Sequence, residues 1–90
     1  MTKESTLYQR EKVVLTDREK ETMALDSDTS AETLLKLAFD SSEKVRALVG
    51  INRNTPEVIL MELKKDHSEL VQRTASYNLN SRGLKNKNRN

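Results

Sequence analysis

The chain of 90 residues has no cysteine and no tryptophan, one proline, two glycines and three aromatic side chains. Each scarcity excludes something. Without cysteine there is no disulfide framework and no thiolate metal site, and nothing points to an oxidising compartment. One proline and two glycines are too few for the tight turns of a small β domain. The longest unbroken apolar run is four residues, Val58 to Met61, far short of a membrane span. The opening stretch MTKESTLYQREK lacks the apolar segment of a signal peptide. The expectation is a soluble, cytoplasmic, mostly helical chain.

Leu, Ile, Val and Phe number 21 of 90, just above the roughly 20% floor below which chains fail to build a core. The core is therefore expected to be thin. Sixteen basic and fourteen acidic side chains leave a net charge of +2. The excess is a property of the end of the chain. Residues 82–90 carry four cations, Arg82, Lys85, Lys87 and Arg89, and no acid, whereas residues 1–81 hold 12 basic and 14 acidic groups.

The most informative feature is self-similarity. Residues 29–54 set against residues 55–80 give nine identities in 26 pairs. These are Thr29/Thr55, Leu34/Leu60, Leu37/Leu63, Asp40/Asp66, Ser42/Ser68, Glu43/Glu69, Val45/Val71, Asn52/Asn78 and Asn54/Asn80. Upstream, Met23, Leu25, Asp26 and Asp28 fall opposite Val49, Ile51, Asn52 and Asn54. A period in this range is a mark of helical-repeat architecture, in which each unit buries its apolar face only against its neighbours. The chain divides into an N-terminal segment 1–15, a repeat domain 16–81 with units at about 16–28 (partial), 29–54 and 55–80, and a basic, disordered tail 82–90.

Each unit reads as two short helices. Thr29 with Glu32 forms a capping-box pattern, and Thr55 precedes Pro56 at a helix start. Asp40 with Glu43, and Asp66 with Glu69, repeat the capping pattern at a second start. Leu34, Leu35, Leu37 and Ala38 lie at helical spacing, as do Ile59, Leu60 and Leu63, then Val45, Leu48 and Val49, then Leu70, Val71 and Ala75. Asn52, Asn54, Asn78 and Asn80 mark the exits, where asparagine tolerates the conformation that ends a helix. The pattern predicts helices at 17–25, 30–39, 41–51, 56–65 and 67–78, some of it 3-10, and a weaker one at 5–13.

The stretch LAFDSSEKVRALVGINRNTPEVIL resembles the units of the leucine-rich repeat variant family and, more loosely, HEAT-like repeats. Asp40, Val45, Arg46, Asn52, Asn54, Thr55 and Pro56 match the family pattern, and the second unit keeps Asp66, Val71 and Asn78. It departs at Gln72, where arginine is expected, and at Ser81-Arg82 in place of Thr-Pro, which suggests a terminal unit. The resemblance implies an all-α, right-handed solenoid-like stack that binds other macromolecules. It also implies that the Asp and Arg positions support packing between units, so Arg46 is expected to bond Asp40 or Asp66.

No residue pattern supports catalysis or a cofactor. His67 is the only histidine and has no cysteine or second histidine beside which to hold a metal. Glu19, Glu21, Asp26 and Asp28 lack the glycine turn of a calcium loop. No glycine-rich phosphate loop or nucleophile with an adjacent base is present. The function expected is therefore non-enzymatic: a small adaptor or inhibitor that binds a larger protein. The candidate contact residues are Lys44, Ala47, Arg73, Thr74 and Tyr77, with Tyr77 and Phe39 otherwise read as packing residues. The alternative is nucleic-acid binding through Arg46, Arg53, Arg73 and the tail cations Arg82, Lys85, Lys87 and Arg89. Two and a half units leave an end to cover. Tyr8, Val13, Val14 and Leu15 would close it within the chain, or a second copy would.

Overall fold

A computed structural model describes residues 14–84, and these are all-α. Five α-helices follow in order: α1 (Asp17–Leu25), α2 (Ala31–Leu37), α3 (Glu43–Ile51), α4 (Glu57–Leu63) and α5 (Glu69–Leu79). A π-helical turn, Asn80–Leu84, continues α5. No 3-10 helix of the kind expected occurs among the described residues. The helix predicted at 5–13 lies outside them, as do Tyr8 and Val13. Val14 and Leu15 are exposed.

Hydroxyl caps start four of the helices. Thr16 and Glu19 form a reciprocal capping box at α1, with Glu19 N–H donating to Thr16 Oγ1 at 3.1 Å and Thr16 N–H to Glu19 Oε1 at 2.9 Å. Ser30, Ser42 and Ser68 accept from the amides of Thr33, Val45 and Val71. Such a cap contributes about 1 kcal/mol. These are not the caps read from the sequence. Asp40 and Asp66 instead accept from the Ser42 and Ser68 amides two residues on, an Asx turn that delivers each serine to the cap position. Thr29 and Thr55 turn backwards, their hydroxyls donating to the carbonyls of Met23 and Val49 at 2.6 and 2.7 Å. Pro56 then takes the cap position of α4 with no side-chain bond.

The helices alternate between two roles. α3 packs against α1 on one side and α5 on the other, α2 touches α1 and α3, and α4 touches α3 and α5. The buried residues recur at the 26-residue spacing: Leu34 and Leu60, Leu37 and Leu63, Val45 and Val71, Val49 and Ala75. Leu35 and Leu70, read as core, stay about half exposed. Both sit one position off the buried stripe of a seven- or eleven-residue helix, too far around the barrel to reach a neighbour.

Gly50 lies where α3 and α5 pack closely against each other. A Cβ built there would lie 2.3 Å from Thr74 Oγ1, 3.1 Å from Thr74 Cβ and 3.3 Å from the Ala75 backbone nitrogen. Gly50→Ala would gain about 0.5–1 kcal/mol of helix propensity at an unhindered site. Here the overlap should win and lower stability by about 1–3 kcal/mol. Adding Thr74→Ala should recover most of that loss in urea unfolding; a stabilised single variant would contradict the close packing.

Candidate functional site

The residues that match between the two units hold the helices together. Arg46 in α3 is 6% exposed. Its Nε and Nη2 donate to Asp66 Oδ2 and Oδ1 at 2.8 and 3.1 Å, and Nη1 donates to the Asp40 and Ser41 carbonyls. Lys20, one period earlier, makes the corresponding pair with Asp40 at 2.8 Å. Gln72, one period later, keeps only the local half of the pattern: its Nε2 donates to the Asp66 carbonyl at 2.6 Å.

The charges respond to this geometry. The Lys20 hydrogen bond holds the Asp40 carboxyl below the usual carboxylate range, helped by the Ser42 amide and against the cost of burial. Burial pushes Asp66 up, but the Arg46 guanidinium and the Ser68 amide together hold it below its ordinary value. The Asp66 bond also raises Arg46, and the Asp40 bond raises Lys20.

Two of the asparagines, Asn52 and Asn78, are buried ties between helices, whereas Asn54 and Asn80 are exposed. Asn52 is 3% exposed, and its Nδ2 donates to the carbonyls of Ala24 and Asp26 at 2.8 and 3.0 Å. Asn78 repeats the pattern one period on, to Gly50 and Asn52 at 2.8 and 2.9 Å. In both cases the acceptors are carbonyls in the last turn and at the cap of the matching helix one unit earlier, α1 for Asn52 and α3 for Asn78, which have no partner within that helix. Asn54 adds a bond from Nδ2 to the Ser27 carbonyl. The buried amides of Asn52 and Asn78 are thus already bonded within the protein.

What remains open is a concavity of about 670 Å³ at the C-terminal ends of α3 and α5, lined by Ile51, Arg53, Arg73, Thr74, Tyr77, Asn78 and Ser81. Tyr77 is 76% exposed and Ile51 49%. Leu25, at the corresponding position of α1, is also about half exposed. An apolar residue thus stands at residues 25, 51 and 77, one period apart, without being buried. Thr74 is half-buried, its hydroxyl donating to the Val71 carbonyl. Arg73 is exposed and 3.4 Å from Glu69. A second concavity, of about 540 Å³ beside Phe39 and His67, has its central charges already committed, Arg46 to Asp66 and Asp40 to Lys20.

Three of the residues read as surface contacts sit there: Arg73, Thr74 and Tyr77. Lys44 is exposed, 3.7 Å from Glu21, away from the lining. Ala47 is a correction. It is 4% exposed and belongs to the core, because its small side chain lets α3 sit between two neighbours. Tyr77 and Phe39 are corrected in the other direction, being exposed rather than packed. Arg46 is unavailable to a phosphate because its donors are spent inside the protein. Arg82 is ordered with the body, its Nε on Asn78 Oδ1 at 2.9 Å and its Nη2 on the Arg53 carbonyl at 2.7 Å. Gly83, at φ 135°, supplies the left-handed turn that lets the chain leave α5 there. Lys85, Lys87 and Arg89 lie outside the described residues. Ile51 was missed as a site residue, although the 26-residue alignment pairs it with Tyr77; Arg53 was read only as a nucleic-acid contact.

Among the described residues no three His, Cys, Asp or Glu side chains converge as a metal site, and no helix is long and apolar enough to cross a membrane. Compared with protein-family models, with curated proteins and with solved structures, the chain finds no match.

Proposed function

We propose that this chain is a short stack of helical repeats, of the kind found in the leucine-rich repeat variant family, acting as a non-catalytic adaptor or regulator that binds a larger protein. The observation that carries the reading is the exposed pair Ile51 and Tyr77 in a concavity between two helices otherwise tied together by buried polar bonds. A large aromatic exposed on a rigid rim is the type of residue that dominates interface energetics. The recurrence of hydrogen bonds at matching 26-residue positions supports the repeat reading. The lack of cysteine fits a reducing, cytoplasmic setting.

The C-terminal end of the stack favours a different protein over a second copy. The Asn78 carbonyl accepts from Ser81 Oγ at 3.1 Å, and Asn78 Oδ1 is taken by Arg82. Ser81 and Arg82 thus bond back onto the end of α5.

The test is a nuclease-treated capture from the native cell lysate at low and high salt, with mass-spectrometric identification. The baits are the wild-type chain, Ile51→Asp and Tyr77→Asp. A protein retained at high salt by the wild type and lost, by about tenfold or more, with either variant is expected, since hot-spot truncations typically cost 2 kcal/mol or more. Retention indifferent to both variants, or removed by nuclease, would overturn the reading and favour a polyanion ligand.

A further inference from the structure

We infer that the concavity between α3 and α5 takes a short acidic peptide segment of the partner. One large aliphatic or aromatic side chain would sit between Ile51 and Tyr77, with flanking carboxylates on Arg53 and Arg73. This rests on the docking reading above and adds the chemistry of what docks.

The apolar part follows from the lining. Ile51, Tyr77 and Thr74 line a seat whose volume of about 670 Å³ is in the range of small-ligand pockets. That is room for one or two side chains.

The acidic part follows from charge. Two arginines, Arg53 and Arg73, and no acidic residue line the concavity. Arg53 makes no ion pair among the described residues. The one partner of Arg73, Glu69, is itself exposed, and an exposed pair of this kind is weak enough for a ligand carboxylate to displace. Arg82 adds a third cation against the Arg53 backbone. This local excess stands out from its surroundings, because residues 14–84 carry ten Lys and Arg against twelve Asp and Glu. A long polyanion leaving the concavity would run along a net-acidic body; a short acidic peptide would not. The chain's own ends are poor occupants. Residues 1–13 hold three cations and two acids, and residues 85–90 hold three cations and none.

The experiment pans a phage-displayed random dodecapeptide library on the full chain, with counter-selection on Tyr77→Asp. Recovered peptides are then labelled and titrated by fluorescence anisotropy beside a labelled oligothymidine. The targets are wild type, Tyr77→Asp and Arg53→Glu combined with Arg73→Glu, each checked for folding by circular dichroism. The expected peptides carry more Asp and Glu than Lys and Arg and one Leu, Phe or Trp. Their affinity should fall about tenfold or more in both variants. Neutral or basic peptides, binding indifferent to the arginine reversal, or no Tyr77-dependent peptide would each overturn the inference. Tight oligothymidine binding that depends on the same arginines, without such peptides, would assign the site to phosphates instead. The capture experiment separates the two levels. If Ile51→Asp loses a protein there while acidic peptides fail here, the docking reading stands and this inference falls. If the capture is also indifferent, both fall.

Discussion

Arg46→Ala is expected to lower the unfolding free energy by about 3–5 kcal/mol, enough to leave a chain of this size near its unfolding midpoint. The cost comes from what the substitution strands. Asp66 would keep its buried carboxylate without the guanidinium that faces it, and the Asp40 and Ser41 carbonyls would lose the Nη1 donor. Arg46→Lys should fall between, because a single ammonium cannot serve the carboxylate and both carbonyls at once. Arg46→Met with Asp66→Leu should recover part of the loss by removing both charges, but not all of it, since the two carbonyls and the Ser68 amide lose partners.

The same site fixes the sign of the acid dependence. Asp40 and Asp66 are held below their ordinary carboxylate values. Their stabilisation is therefore present above about pH 4 and lost as pH falls through the lower folded-state values. In Arg46→Ala the burial of Asp66 is opposed by the Ser68 amide without the guanidinium, so its carboxyl rises relative to the wild type and protonation costs less. The gap between wild type and variant should narrow on acidification. Urea unfolding followed by circular dichroism near neutrality and near pH ~3 checks both parts. A loss below about 1 kcal/mol at neutral pH, the level of a surface pair, would mean that the Arg46 pair is as dispensable as an exposed one.

The all-α class and the helix positions were legible because they depend on local periodicity. Each observed helix begins within two residues of its expected start. The caps were less legible. In Asp40-Ser-Ser-Glu43 two kinds of oxygen compete for the same few amides, and only the backbone path decides that Asp40 shapes the turn and Ser42 caps. Thr29 and Thr55 looked like caps for the same reason. Their hydroxyls go instead to carbonyls of the helix before, which a local pattern does not contain. Burial on the middle helix was hard to read because α3 has neighbours on two sides. Ala47 and Arg46 are both inside it, although one is small and the other charged. The face left open was legible only through the period: Leu25, Ile51 and Tyr77 are apolar, aligned and outside the core.

Asn52→Asp should be as damaging as the loss of the arginine, and its pH dependence should identify the cause. The substitution keeps the shape of the side chain and the acceptor that takes the Asn54 amide at 2.8 Å. It removes the two donated bonds to the Ala24 and Asp26 carbonyls and turns a carboxylate oxygen toward them. The buried Ala24 carbonyl loses its donor, at about 1–3 kcal/mol, while the Asp26 carbonyl keeps the Thr29 amide, and a charge is buried without a partner. A loss of about 3 kcal/mol or more is expected at neutral pH, against about 2 kcal/mol for Asn52→Ala. Burial beside two carbonyls raises the new carboxyl in the folded state. The penalty therefore grows as pH rises through the ordinary carboxylate value and relaxes as pH falls, when one protonated oxygen again becomes a donor. Asp26 provides the control within the same chain. It occupies the corresponding position one period earlier and accepts from the Asp28 amide in the same Asx turn, but it is exposed and donates to no preceding helix. Asp26→Asn should change stability by no more than about 0.5 kcal/mol. If Asn52→Asp were equally mild, or no worse than Asn52→Ala at neutral pH, the asparagines would be turn-formers alone. The coupling of α3 to α1, and of α5 to α3, would then rest on apolar packing and the ion pairs.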